Sequence, residues 1–219
     1  MSTIGFTYIG IPDFTDSINR GTSLTMYVPN HFSVTETEEI FSFLDANAFG
    51  QLISTVDQRL TASHLPFLVS SDRKHLQCHL ARQNTHWQHL QDQRVLVTFQ
   101  GPHDYISPSW YQTPGVPTWN YQALHVYGRC RVFEEPEAIA TVVETLSRRY
   151  ESGFEQPWKP QYRDAMLKAI IGVEIEIEEL QCKYKLSQNR SEVDQQGVID
   201  KLDKMGSDSL VDAMRKTQP

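Results

Sequence analysis

The chain has 219 residues, 39% apolar and 21% charged, with a formal net charge of −7 and a pI near 5.6. That length holds one domain with a real core, or at most two small ones, in a composition typical of globular proteins. With no apolar run of membrane-spanning length, no secretory signal at the N-terminus, and three scattered cysteines (Cys78, Cys130, Cys182) that make neither a disulfide framework nor a zinc knot, the chain reads as cytoplasmic with reduced thiols.

In chain order, residues 1–25 show no sustained period and read as an N-terminal arm with one short strand, FTYIGI. TETEEIFSFLDANAFG predicts a helix with a capping box (Thr35 with Glu38), an apolar face of Ile40, Phe41 and Leu44, and a stop at Gly50. Strands are expected at 50–56 and 60–70, separated by the turn DQR. The second puts Ser63, Leu65, Phe67 and Val69 on one face, with Ala62, His64, Pro66 and Leu68 on the other. HLQCHLA (75–81) alternates as a strand, NTHWQHL (84–90) reads as a short helix, and RVLVTFQG (94–101) turns Val95, Val97 and Phe99 inward.

From Phe99 to Tyr121 the pattern stops. Two Trp, three Tyr, four Pro and a His lie there without a period, which predicts a long ordered loop of the functional kind. A strand over 121–135 follows, then a helix from Pro136 with a stripe of Ile139, Val142, Val143, Leu146 and Tyr150. IIGVEIEIEEL (170–180) sets Ile171, Val173, Ile175 and Ile177 against a solvated face of glutamates. Near the C-terminus four cations alternate with four acids, and Leu202, Met205, Val211 and Met214 read as partner-facing. Many short antiparallel strands with few helices predict a mainly β fold, a closed or nearly closed barrel with peripheral helices.

Chemistry is harder to place. His64, His79, His103 and His125 fall in the strand region, but no spacing fixes a metal site, and none is expected. GxSxG, GxGxxG and P-loop signatures are absent, and no side chain is marked as catalytic, so whether the chain is an enzyme stays open. In CHLARQNTHWQHL a strand ends, Arg82 and Asn84 follow, and a helix begins. That turn reads either as an anion site or as a plain turn with a solvated arginine.

Seven segments in order, MYVPNHF, ASHLPF, HLARQN, FQGPHDYISPSWY, VPTWNY, HVYGR and KYKLSQNR, resemble the hallmark segments of the PaiB family. Its members are called FMN-binding negative transcriptional regulators and adopt the FMN-binding split barrel. The resemblance implies a domain over 26–203, an additional arm at 1–25 and a C-terminal helical tail at 204–219. It implies a homodimer with FMN at the subunit interface, where a flat apolar ring, a polar ribityl chain and a dianionic phosphate each need matching side chains. Carried over by position, Thr61, Ser63, His64 and Leu65 lie beside the ring. His79, Arg82, Asn84 and Trp87 lie on the turn where relatives hold phosphate, with Arg82 as the main cation. Trp110, Trp119 and Asn120 are candidates for the ring edge, or for packing at the subunit seam. Lys185, Gln188, Asn189 and Arg190 would come from a late strand and loop, across the dimer. The regulator label implies DNA binding, yet the acidic balance and the lack of a basic recognition helix speak against direct contact. The alternatives are a flavin-dependent oxidoreductase or flavin-handling enzyme, and a haem-binding split barrel.

Overall fold

In the computed structural model, which describes residues 26–159, 161–162 and 164–218, the β2–β3 hairpin sets the pattern for the rest. β2 (Phe49–Val56) and β3 (Arg59–Pro66) pair antiparallel from Phe49 opposite Pro66 to Val56 opposite Arg59. The chain reverses through Asp57 and Gln58, at φ 48° and 63°. Two successive left-handed residues give the tight turn whose twist matches that of the flanking strands.

The other strands are β1 (Ser33–Val34), β4 (Leu68–Val69), β5 (His75–Ala81), β6 (Arg94–Ile106), β7 (Thr118–Phe133) and β8 (Ile170–Lys185). They form one antiparallel sheet in the order β3-β2-β6-β7-β8-β5-β4, with β1 on β8. The sheet curls around a core that includes Leu52, Phe67, Leu76, Val97, Phe99, Leu124, Val173 and Ile175. β3 and β5 approach each other without a hydrogen-bonded ladder, so the barrel is split there.

Among the described residues five helices surround it. α1 (Thr37–Ala46) begins at Glu36 rather than at a Thr35 capping box and ends well before Gly50. Gly50 belongs to β2, where a Cβ would fall 2.7 Å from the Phe99 ring. Close approach to an aromatic, not helix termination, is what that glycine serves. α2 (Pro136–Glu151) buries Ile139, Val142, Val143 and Leu146 as its stripe predicts, but Tyr150 stays half exposed. α3 (Asp164–Leu167) is a single turn.

Two expectations are corrected. α4 (Glu192–Met205) and α5 (Asp208–Lys216) bury Leu202, Val211 and Met214 in the main core, so these residues face the barrel rather than a partner; Met205 is exposed. The aromatic segment is mostly strand: β6 runs on to Ile106 and β7 starts at Thr118, leaving Ser107–Pro117 as the connection. A bulge between Gln100 and His103 absorbs Gly101-Pro102, and pairing then resumes. The short strand expected within 1–25 lies outside the described residues.

Candidate functional site

Alternation along β2, β6 and β7 sends Leu52, Val97 and Leu124 into the core and their neighbours to the outer face. Register then lines up side chains across strands. His64, Gln51, Thr98, His125 and Gln181 form one row, and Gln100, Ala123 and Lys183 the next. A third row, Ile53, Leu96 and Tyr127, is apolar and only half buried. An open groove of about 430 Å³ runs over this face, between Phe49 and His64 at one end and Tyr121, Ala123 and His125 at the other.

The two ends differ in chemistry. At the β2–β3 end the Phe49 and His64 rings stack at 6.5 Å and 28°, and Phe49 is 65% exposed. At the β8 end stand Lys183 and Lys185, partners of Ala123 and Tyr121 in the ladder. Lys183 Nζ donates to the Tyr27 carbonyl at 2.8 Å and lies 5.4 Å from the centres of both the Tyr27 and Tyr121 rings. Lys185 Nζ donates to Thr118 Oγ1 and to the Trp119 carbonyl, each at 2.6 Å. Burial, and then the nearby Lys183 and Arg190, push the Lys185 ammonium below its ordinary range. Among the described residues, no carboxylate forms an ion pair with any of these three cations, whereas Arg82, Arg94, Arg129, Arg131 and Arg149 each have at least one. Cations near one another whose other partners are neutral oxygens and aromatic rings are set up for an anion.

Between the ends lie amides and a hydroxyl, with His125 toward the Tyr121 end. The His125 Nδ1 is shielded from solvent and has no hydrogen-bond partner among the described residues, so any contact the ring makes in the groove is through its other edge.

The other candidates from the sequence fall elsewhere. Leu65 packs in the core, and Thr61 is half buried on β3. Ser63 points inward and accepts from Asn84 Nδ2 at 3.1 Å. His79 faces outward under α2. Arg82 is already committed, donating to Glu134 and to the Lys168 carbonyl at 2.8 Å each, while the Trp87 indole donates to the Arg82 carbonyl. Asn120 is fully buried, bonded to Ser187 and 3.4 Å from the Met214 sulfur. Trp110 packs on the core beside α4, and Trp119 is half exposed between His103 and Tyr105. Gln188 ties Leu186 to Tyr184, Asn189 is exposed, and Arg190 stacks on Tyr111 at 4.4 Å. So, of these candidates, His64 lines the groove and Lys185 stands beside it on the next strand, while Ser63, Asn84 and Asn120 are taken up by hydrogen bonds within the fold.

Two features escaped the sequence reading. Lys183 was findable, since it sits two residues before Lys185 on an alternating strand. His86 was not: the 3-10 turn Thr85–His89 buries its ring between Ser54 Oγ at 2.7 Å and Ser63 Oγ at 2.8 Å. This bridge pins the turn to the β2–β3 hairpin. Burial, with His89 adding to it, holds the His86 imidazole below its ordinary range and so neutral. The unfolded chain takes up that proton below about pH 6.5, before the folded one does, so stability is whole above that pH and falls as the pH drops through and below it. Partly buried His79 and His125, whose burial lowers them likewise, act in the same direction. Urea unfolding midpoints should therefore be level between about pH 7 and 8 and decline below about 6.5. His86→Phe keeps the ring but strands the buried Ser54 hydroxyl and leaves Ser63 with only Asn84, and should remove about 1–3 kcal/mol at neutral pH. A variant as stable as the native protein would show that the bridge contributes nothing.

With this geometry established, the chain can be set beside known proteins. A family model described as "Putative FMN-binding domain" matches residues 26–179. The chain is 41% identical over 185 residues to "Protease synthase and sporulation protein PAI 2" of Bacillus subtilis, covering 81% of this chain and 89% of that protein. It is 30% identical over 195 residues to an uncharacterized protein of Emericella nidulans, covering 68% of this chain and 78% of the other. Among solved structures, the flavocytochrome Anf3 of Azotobacter vinelandii matches with a TM-score of 0.58 at 15% identity, over 70% of this chain and 69% of that one. The FAD and heme binding protein of Mycobacterium smegmatis gives the same TM-score and identity over 70% and 73%. At such low identity these two structures speak for the fold, the split β-barrel.

Proposed function

This chain belongs to the PaiB family of FMN-binding domains, and on that footing we propose that it is a homodimeric flavoprotein holding FMN in the groove on the outer face of the sheet. The observation that carries this reading is the polarity of the groove. Phe49 and His64 offer a flat wall at one end, Gln51, Thr98, Gln100 and His125 offer hydrogen bonds along its length, and beside the other end stand Lys183 and Lys185 of β8, with no carboxylate partner among the described residues. Phe49 on β2 and the lysines on β8 are three strand spacings apart, roughly 14 Å. A ligand with an aromatic ring, a polyhydroxyl chain and a terminal dianion meets a matching group at each step.

When bound, FMN supplies a ring that accepts and returns electrons. The chain's own part is to hold and orient it. Lys183 and Lys185 would neutralise the phosphate, and half-buried His125 and exposed Gln51 would meet ring or ribityl polar atoms. Because the groove is open to solvent, a second copy of the chain is needed to close it. The half-buried apolar row Ile53, Leu96 and Tyr127 beside the groove, with exposed Phe49, is the surface such a partner would cover.

Direct binding to duplex DNA is not part of this proposal. The net charge is −7, and arginines around the barrel are spent on Glu134, Glu174, Glu178 and Asp45. Few cations are left to neutralise a phosphate backbone.

Sedimentation velocity read in both the protein and the flavin absorption bands tests the assembly. The expected result is one boundary at twice the 25.2 kDa chain mass, carrying the flavin signal. A folded monomer at micromolar concentration, or flavin left behind in solution, would contradict it.

A further inference from the structure

We propose that the groove takes flavin in its dinucleotide form, with the adenine ring resting on an aromatic platform that continues the outer face past the lysines. The inference rests on the flavin reading of the groove and adds one subsite to it.

β6 and β7 do not stop where the groove stops. After the bulge between Gln100 and His103 their pairing resumes, with His103 opposite Tyr121 and Tyr105 opposite Trp119. Alternation puts these four rings on the outer face, because the residues between them turn the other way. Asn120 is fully buried, and the Asp104 carboxylate accepts from the Ser207 hydroxyl just before α5. The Trp119 ring centre lies 6.3 Å from that of His103 and 6.2 Å from that of Tyr105. Trp119 is 52% exposed and Tyr105 40%, so the platform faces solvent.

Three observations identify its occupant. The platform is continuous with the groove, since Tyr121 lines the groove and is the ladder partner of both His103 and Lys185. The Lys185 ammonium, held by the Thr118 hydroxyl and the Trp119 carbonyl, stands where the two meet. The order of chemistry is the second observation. From β2 outward the face offers an aromatic wall, polar groups, two ammonium groups and then aromatic rings again. FMN uses the first three, whereas a flavin joined through a diphosphate to adenosine uses all four. The third is spacing and charge. Tyr121 and Trp119 are roughly 7 Å apart along β7, a span that one ribose bridges between phosphate and base. None of the four platform residues is a carboxylate, and an exposed indole stacks on the flat face of a base.

Calorimetric titration of the full-length protein with FMN and with FAD tests the proposal. The two carry nearly the same phosphate charge, so a difference between them reports the adenosine half. FAD is expected to bind about tenfold more tightly, the gain from one stacked base. Trp119→Ala keeps the backbone carbonyl that holds Lys185, and should abolish the advantage of FAD while leaving FMN affinity unchanged. Trp119→Phe should restore part of that advantage. Circular dichroism confirms that each variant is folded, and sedimentation velocity reads its assembly. FAD binding no tighter than FMN to the native protein, or equal losses of both in Trp119→Ala, would overturn the adenine subsite and leave the flavin groove standing. Dissociation of Trp119→Ala into monomers would assign the platform to a second copy of the chain and overturn the subsite too. Failure of both flavins to bind the native protein would overturn the groove reading, and the subsite with it.

Discussion

Gly128→Ala is expected to destabilise the protein by about 3 kcal/mol or more, the upper end of what overpacking produces. A Cβ at Gly128 would lie 2.2 Å from the Glu176 carbonyl oxygen and 2.7 Å from Ile175 Cγ2. The first of these is backbone in the adjacent strand, at the point where the β7–β8 register shifts between Tyr127 and Gly128, so no side-chain rotation relieves it. The β7–β8 ladder is the longest in the sheet and carries both His125 and the two lysines, so the damage reaches the groove as well. At this chain length the loss corresponds to a Tm lower by roughly 6–12 °C. Gly153→Ala is the control: nothing lies within 4 Å of its Cβ position, and its Tm should stay put. Equal melting of the two variants would show that the β7–β8 contact is looser than described.

The second large effect is on the ligand. Lys183→Met with Lys185→Met keeps the aliphatic stems and removes both ammonium groups. If the two meet the phosphate, FMN affinity should fall by at least about a hundredfold, since each charge-assisted contact is worth about 1.5–3 kcal/mol. Riboflavin, which lacks the dianion, should bind the native and double-variant proteins about equally. The double variant also loses three donated hydrogen bonds, and unchanged riboflavin binding is what separates loss of the phosphate contact from a general loss of stability. Equal losses for FMN and riboflavin would place the phosphate elsewhere.

How much of this was legible in the sequence differs between fold and site. Strands with period-two alternation, such as 75–81 and 94–101, are visible because burial on one face dictates every second residue. The long segment after Phe99 was read as a loop because Gly101, Pro102 and four later breakers interrupt the period. What restores it is a bulge, a tertiary pairing decision that local composition does not reveal. The amphipathic C-terminal helices showed their apolar residues plainly, but an apolar stripe does not say whether it meets the chain's own barrel or another molecule.

The site was less legible, for a related reason. A side chain's chemistry is evident from its letter, while its commitments are not. Arg82 reads as a free cation until Glu134, 52 residues away, is seen to hold it. Asn120 reads as a ligand contact until Ser187 claims it. Lys183 and Lys185 gain their significance from having no carboxylate partner among the described residues, and that depends on which strands pack together.

The most direct test of the central claim is a crystal structure of the FMN-loaded protein, read for the position of the phosphate. The account predicts a phosphate oxygen within about 3 Å of the Lys183 or Lys185 Nζ, with the ring toward Phe49 and His64. A phosphate bound instead at Arg82 and the Thr85–His89 turn, or a flavin lodged beneath α2, would contradict it.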